Sequence, residues 1–144
     1  MPHWIRRTIR GAAWLPMTVL FVFAVVASAL NLYVLYPRLD VPTHFAAGIV
    51  VTHFFRNAAA NAQESVGGIP PTVQSLLALG LTMIAAVVWE LLEYASDVTL
   101  GTAMNHGVAD TLSDLFFGLL GGVCFVVYRW YAMRRVAAAR REEI

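Results

Sequence analysis

The chain contains no lysine, which excludes every chemistry that needs a side-chain amine, from a retinal Schiff base to a lysine clamp on phosphate. It has one cysteine, Cys124 in GGVCFVV. Neither an intrachain disulfide nor a cysteine metal cluster can form, and this residue is expected to be a small buried hydrophobe. Charge is scarce too. Only 13% of the 144 residues are charged against 59% hydrophobic, and the mean hydropathy of +0.66 places the chain among integral membrane proteins. H-E-x-x-H is missing, which excludes a zincin. So is G-x-S-x-G, and no serine–histidine pairing offers a hydrolase nucleophile. No nucleic-acid partner is expected.

The charge that is present is segregated. Arg6, Arg7 and Arg10 open the chain, and Arg129, Arg134, Arg135, Arg140 and Arg141 close it. Between them lie four segments near the length of about 20 apolar residues that a membrane span needs: about Ala13 to Tyr36, Thr43 to Ala60 after the Pro42-Thr43 breaker, Val73 to Asp97, and Gly107 to Met133. The first imitates a secretory signal ending at Ala27-Ser28-Ala29, but it is long enough to span and is expected to be retained. The positive-inside rule places both arginine-rich termini and Arg56 in the cytoplasm and leaves Arg38 outside, a parity that four spans satisfy. Tyr33, Tyr36 and Tyr94 then mark the outer boundary, and Trp4, Trp14, Tyr128, Trp130 and Tyr131 the inner one. The expected fold is an all-α, polytopic bundle of four transmembrane helices, one domain over residues 1–144, multi-pass in the cell membrane with the lipid bilayer as its main partner. GLLGG supplies small-xxx-small spacing, so the Gly118, Gly122 face is open to close helix contact and to oligomerisation.

On this topology the ionisable residues gather at one depth. Asp40 and His44 enter the second span from outside; Glu90, Glu93 and Asp97 leave the third toward outside; His106, Asp110 and Asp114 enter the fourth. Helical offsets of three, four and seven put Glu90, Glu93 and Asp97 in one stripe and His106, Asp110 and Asp114 in another. Glu90 is about 10 Å inward of Asp97, and Asp114 is comparably deep, so the stripes can form two walls of one outward-facing pocket. Five ionised acids beside Arg38 and two histidines leave a negative excess that protons or bound cations must offset. Carboxylates with imidazole suit zinc, iron or manganese; carboxylates alone suit magnesium or calcium. The expected ligands of a divalent metal are His44, Glu90, Glu93, Asp110 and Asp114, with Asp97 and His106 nearer the aqueous rim and Arg38 and Asp40 as further binding residues; His53 is taken as structural.

The order D-x-x-x-H-F-x-x-G (Asp40, His44, Phe45, Gly48), W-E-x-x-E (Trp89, Glu90, Glu93) and D-x-x-x-D-x-x-x-G (Asp110, Asp114, Gly118) resembles small bacterial and archaeal membrane proteins of the YjdF-like and VanZ-like type. The likeness covers roughly Asp40 to Gly122. It implies that an acid and histidine open one span, a glutamate ends another, and an aspartate followed by glycine opens the last. VanZ-like members are associated with glycopeptide resistance. This chain is shorter than typical YjdF-like proteins and carries Glu93 where VanZ-like proteins often have glutamine, so that association is not carried over.

Three functions fit the site. The first is a metal-dependent membrane enzyme, a hydrolase or transferase acting on a lipid or lipid-linked headgroup, with Glu90 and Asp114 as the indispensable catalytic pair. The second is an ion- or proton-binding transporter component. The third is a scaffold whose acids fix helix packing.

Overall fold

The computed structural model describes residues 2–11 and 13–142; the side chains of Arg140 and Arg141, counted above among the terminal arginines, lie outside the described set. Helices α1 (His3–Arg10), α2 (Trp14–Ala29), α3 (Leu32–Leu35), α4 (Asp40–Val66), α5 (Pro71–Leu100) and α6 (Val108–Glu142) follow one another, with a 3-10 turn at Pro37–Leu39 before α4. No strand occurs among the described residues.

The first apolar segment is interrupted, contrary to a continuous helix over residues 13–36. Asn31 has φ 54°, a left-handed backbone that asparagine tolerates better than most residues, and only the one-turn α3 follows before Pro37. Pro42 in turn fails to act as a breaker. It lies in the first turn of α4, where a missing N–H costs nothing, and α4 therefore begins at Asp40.

Two helices are long and apolar enough to cross a membrane unaided, α5 and the Val108–Arg135 part of α6; a third joins them if α1 and α2, 60° apart, count as one bent span. Two, or up to three, of the four spans expected from hydropathy meet that test of length and composition. The helix that falls short is α4, because its 27 residues include Asp40, His44, His53, Arg56, Asn57, Asn61, Gln63 and Glu64.

Burial is inverted relative to a soluble bundle. The buried apolar residues are Ala24, Ala27 and Ala78, whereas large side chains such as Phe21, Leu91, Leu92, Phe116 and Val127 face outward. That distribution matches a lipid-facing exterior around an interior closed by small and polar residues. Cys124 belongs to the exterior. The expectation that it is buried is corrected, since α6 turns its glycines rather than Cys124 toward α4.

The α4–α6 contact is backbone on backbone. A Cβ added to Gly48 would fall on the Gly118 carbonyl and stand 2.9 Å from the Gly122 nitrogen; one added to Gly121 would fall on the Phe45 carbonyl. The Gly118, Gly122 face expected to be open to a second copy is therefore covered by α4 of the same chain. This corrects that expectation, for the small-residue spacing is satisfied within the fold.

Between α4 and α5, Thr52 Oγ1 and Thr82 Oγ1 are 2.9 Å apart, and Thr82 donates its proton to the Ala78 carbonyl at 2.8 Å. Thr52 is accordingly the donor of the pair. Thr52→Val should cost about 0.5–1.5 kcal/mol, because Thr82 keeps its carbonyl partner, whereas Thr82→Val strands the buried Thr52 hydroxyl and should cost about 1–3 kcal/mol. Thermal melts of the two variants in one detergent check that ordering.

At the other end of α4, α1 is tethered by Glu64, which lies beyond the apolar stretch. Glu64 accepts hydrogen bonds from His3 Nδ1 at 3.1 Å and from Arg7 Nη1, while Asn61 donates to Thr8 Oγ1 at 3.0 Å. The His3 hydrogen bond, and after it the charge of Arg7, outweigh desolvation and hold the Glu64 carboxyl below its ordinary value of 4.5. A lowered folded value means that the tether is fully present above the unfolded value and is lost as pH falls through the folded one. Hydrogen exchange of the α1 amides should accelerate below pH 4.5 in the wild type, and Glu64→Gln should remove that pH dependence.

Candidate functional site

The start of α4 sets the site. Because the helix opens at Asp40, Asp40 and His44 are one turn apart on the same face. His44 Nε2 lies 3.3 Å from Asp40 Oδ1 and 3.7 Å from Asp114 Oδ1 of α6. One ligand atom from each of the three residues lies within 4.8 Å of the others. Two donors held at about 2.1 Å from a tetrahedral metal stand about 3.4 Å apart, so both His44 separations match a shared first shell. The third separation is no more than 4.8 Å.

Burial is graded across the cluster. Asp114 is 3% exposed, His44 13% and Asp40 28%, so the deep wall is Asp114 and the open side is Asp40. Asp114 Oδ1 has no hydrogen-bond partner. The same holds for Oε2 of Glu90, which is 6% exposed. An unpaired buried carboxylate oxygen costs on the order of 1–3 kcal/mol or more, so each of the two calls for a ligand or a proton.

The remaining residues separate into two groups. Glu90 lies within electrostatic range of Thr111, His44, Asp110 and Asp40. Glu93 lies within electrostatic range of Glu90, His44 and Asp40, and its Oε1 accepts from Trp89 Nε1 at 2.8 Å; Trp89 stacks edge-on against Phe21 of α2, 6.1 Å between centroids. Neither acid joins the Asp40–His44–Asp114 group.

Three others are otherwise engaged. Asp97 accepts from Thr102 Oγ1 at 2.6 Å, Met104 N at 2.8 Å and Asn105 N at 2.9 Å, which binds the 101–107 loop to the end of α5. His106 donates its backbone N–H to Asp110 Oδ2 at 3.1 Å, and its Nδ1 lies 3.3 Å from the same oxygen. Asp110 thereby faces the loop with one oxygen and Glu90 with its field. Arg38 stands exposed in the 3-10 turn, two residues before Asp40.

One residue escaped the sequence reading: Thr111 is three residues before Asp114, on its face of the helix, and within interaction range of Glu90. Trp89, read in the sequence only as part of W-E-x-x-E, precedes Glu93 by one turn and donates to it. Helical spacing from a named acid is the signal that finds both. Two open clefts adjoin α1 at the far end of the bundle from the cluster.

Residues 4–135 match the family described as "Predicted membrane protein (DUF2238)", and the chain belongs to that family. A Thermotoga maritima protein described as uncharacterized is 32% identical over 114 residues, which cover 76% of this chain. The chain spans 57% of that relative's length. No solved structure matches the chain.

Proposed function

We propose that this member of the DUF2238 family is a four-span membrane protein that holds a divalent cation among Asp40, His44 and Asp114 and uses it in hydrolysis or transfer of a lipid-linked headgroup. One observation carries the cation: Asp114 Oδ1 is buried and without a hydrogen-bond partner, and it is aimed at a histidine nitrogen that a second acid already faces. Two carboxylates and an imidazole form a mixed donor set that favours zinc, iron or manganese over magnesium or calcium. The bound metal would supply Lewis acidity and an activated water. Glu90, with a free Oε2 beside the cluster, is the group placed to take a proton, and Arg38 at the open side is placed to meet an anionic headgroup.

The span count rests on packing. α4 is about 40 Å long and meets α6 through Gly48 and Gly121, so a helix too polar to cross alone shares the depth of one that crosses readily. The arginines of α1 and of the end of α6 favour the cytoplasm for that side, which puts the acid cluster outside. The narrower likeness to YjdF-like and VanZ-like proteins stands on the motif order and belongs to this reading.

A second reading has its own observation. A doubly protonated His44, 3.3 and 3.7 Å from two carboxylates, is also an ion triad that fastens α4 to α6 without metal. Metal analysis of detergent-purified protein separates the two. Under the first, the wild type carries about one transition metal per chain and loses thermal stability with a chelator, and His44→Gln carries less than about a tenth as much. A metal-free wild type indifferent to chelator would sink the metal reading and leave the triad. Headgroup release from lipid substrates that returns with added metal tests the catalytic half.

A further inference from the structure

We propose that α1 and the cleft beside it bind the phosphate-bearing headgroup of an anionic phospholipid in the leaflet next to the termini, at the end of the bundle opposite the acid cluster. Helix α1 has the composition of an interfacial helix. Arg6, Arg7 and Arg10 are exposed, Thr8 is buried against Asn61, and Trp4 and Ile5 are half-buried. Its 60° turn away from α2 lays it across the membrane surface when α2 follows the bundle axis.

Two clefts adjoin it. One of about 310 Å³ is lined by Arg7, Thr8, His53, Asn57 and Asn61, together with Gly11 and Ala13. The other, about 450 Å³, is lined by His3, Arg6, Arg7, Arg10 and Gly11. Arg7 is common to both, so they are two sides of one guanidinium. The walls offer guanidinium, amide, imidazole and hydroxyl groups and contain no carboxylate.

Charge decides what fits there. The nearby acid, Glu64, is already engaged by His3 and Arg7. Arg6 and Arg10 make no ion pair among the described residues, and Arg129 of α6 stands close enough to bear on both His53 and Arg56. Arg7 has five donors and can hold a phosphate oxygen while it keeps Glu64. The surplus is cationic and donor-rich, which is the complement of a phosphodiester. Exposed Ile9, Trp14 and Leu15 border the same place, and they give acyl chains an apolar surface that a free anion would not use.

Full-length protein in a non-ionic detergent, titrated separately with phosphatidylglycerol, phosphatidylcholine and inorganic phosphate, tests this by melting temperature and by lipid retained in native mass spectrometry. Phosphatidylglycerol should raise the melting temperature and stay bound, and the other two should not. R6Q/R10Q should weaken phosphatidylglycerol binding roughly thirtyfold, from two surface cations lost. Equal binding of phosphatidylcholine, an equal effect of inorganic phosphate, or undiminished affinity in the double variant would each overturn the proposal. The wild-type lipid preference decides the matter on its own should the variant fail to fold.

Discussion

Gly48→Ala is expected to abolish the stable bundle, a loss of at least about 3 kcal/mol that is visible as aggregation on size exclusion and no cooperative melt in detergent. The new methyl would meet the Gly118 carbonyl carbon at 2.8 Å and the Gly122 nitrogen at 2.9 Å. Both are backbone atoms in the middle of α6 and have no rotamer through which to give way, so the two helices must part along their whole contact. Gly121→Ala should fail similarly, because its methyl would meet the Phe45 carbonyl carbon at 3.0 Å and the Ile49 nitrogen at 3.2 Å. Gly118→Ala is the control. The nearest atom to its new methyl would be the His44 carbonyl oxygen at 3.9 Å, an ordinary contact, and the variant should melt close to wild type. If Gly118→Ala proved the more damaging, the described α4–α6 register would be wrong.

The second large effect is expected at Asp114. Asp114→Asn keeps the volume and removes the charge, so on the metal reading it removes the deepest ligand without opening a cavity. Divalent-metal affinity should fall by more than the roughly 10–100-fold that loss of an outer-shell partner costs. In a thermal titration the wild type should gain about 2.7 kcal/mol when metal reaches 100 times its dissociation constant, and the variant should gain nothing at any concentration tested. The ion-triad reading expects a different pattern: Asp114→Asn destabilises by about 3–5 kcal/mol because His44 loses a buried counter-charge, and metal moves neither protein. The two patterns share no outcome, so one pair of titrations assigns the site.

Much of the site could be read from spacing within single helices. The i, i+4 relation of Asp110 to Asp114 and the offsets joining Glu90, Glu93 and Asp97 follow from helical period alone. Choice of partners across helices did not follow. Asp40 stands outside the ligand set expected from the sequence, yet α4 begins at Asp40, since a proline in the first turn is harmless, and Asp40 sits one turn above His44 in the tightest group. Asp97 shares the stripe of Glu90 and Glu93, yet its oxygens serve a loop whose backbone N–H groups had no other partner in view. Small-residue spacing identified a contact face on α6, but it could not say that the opposing surface was Gly48 of the same chain rather than a second copy. The Glu64 tether joins residues 57 and 61 positions apart, beyond the reach of any local pattern.

The polarity of α4 has a consequence for biogenesis. A helix carrying Arg56, His53, two asparagines and a buried threonine gains little by entering lipid alone. Its glycine seam is complete only against Gly118, Gly121 and Gly122, which are synthesised more than fifty residues after the end of α4. On the four-span reading, α4 must wait at the translocon or in the headgroup layer until α6 emerges, and the two then enter the bilayer as a pair. In a Cys124→Ser background, a cysteine introduced in the middle of α4 should therefore react with a membrane-impermeant maleimide in nascent chains truncated before Gly118, and should be protected in chains that extend past α6.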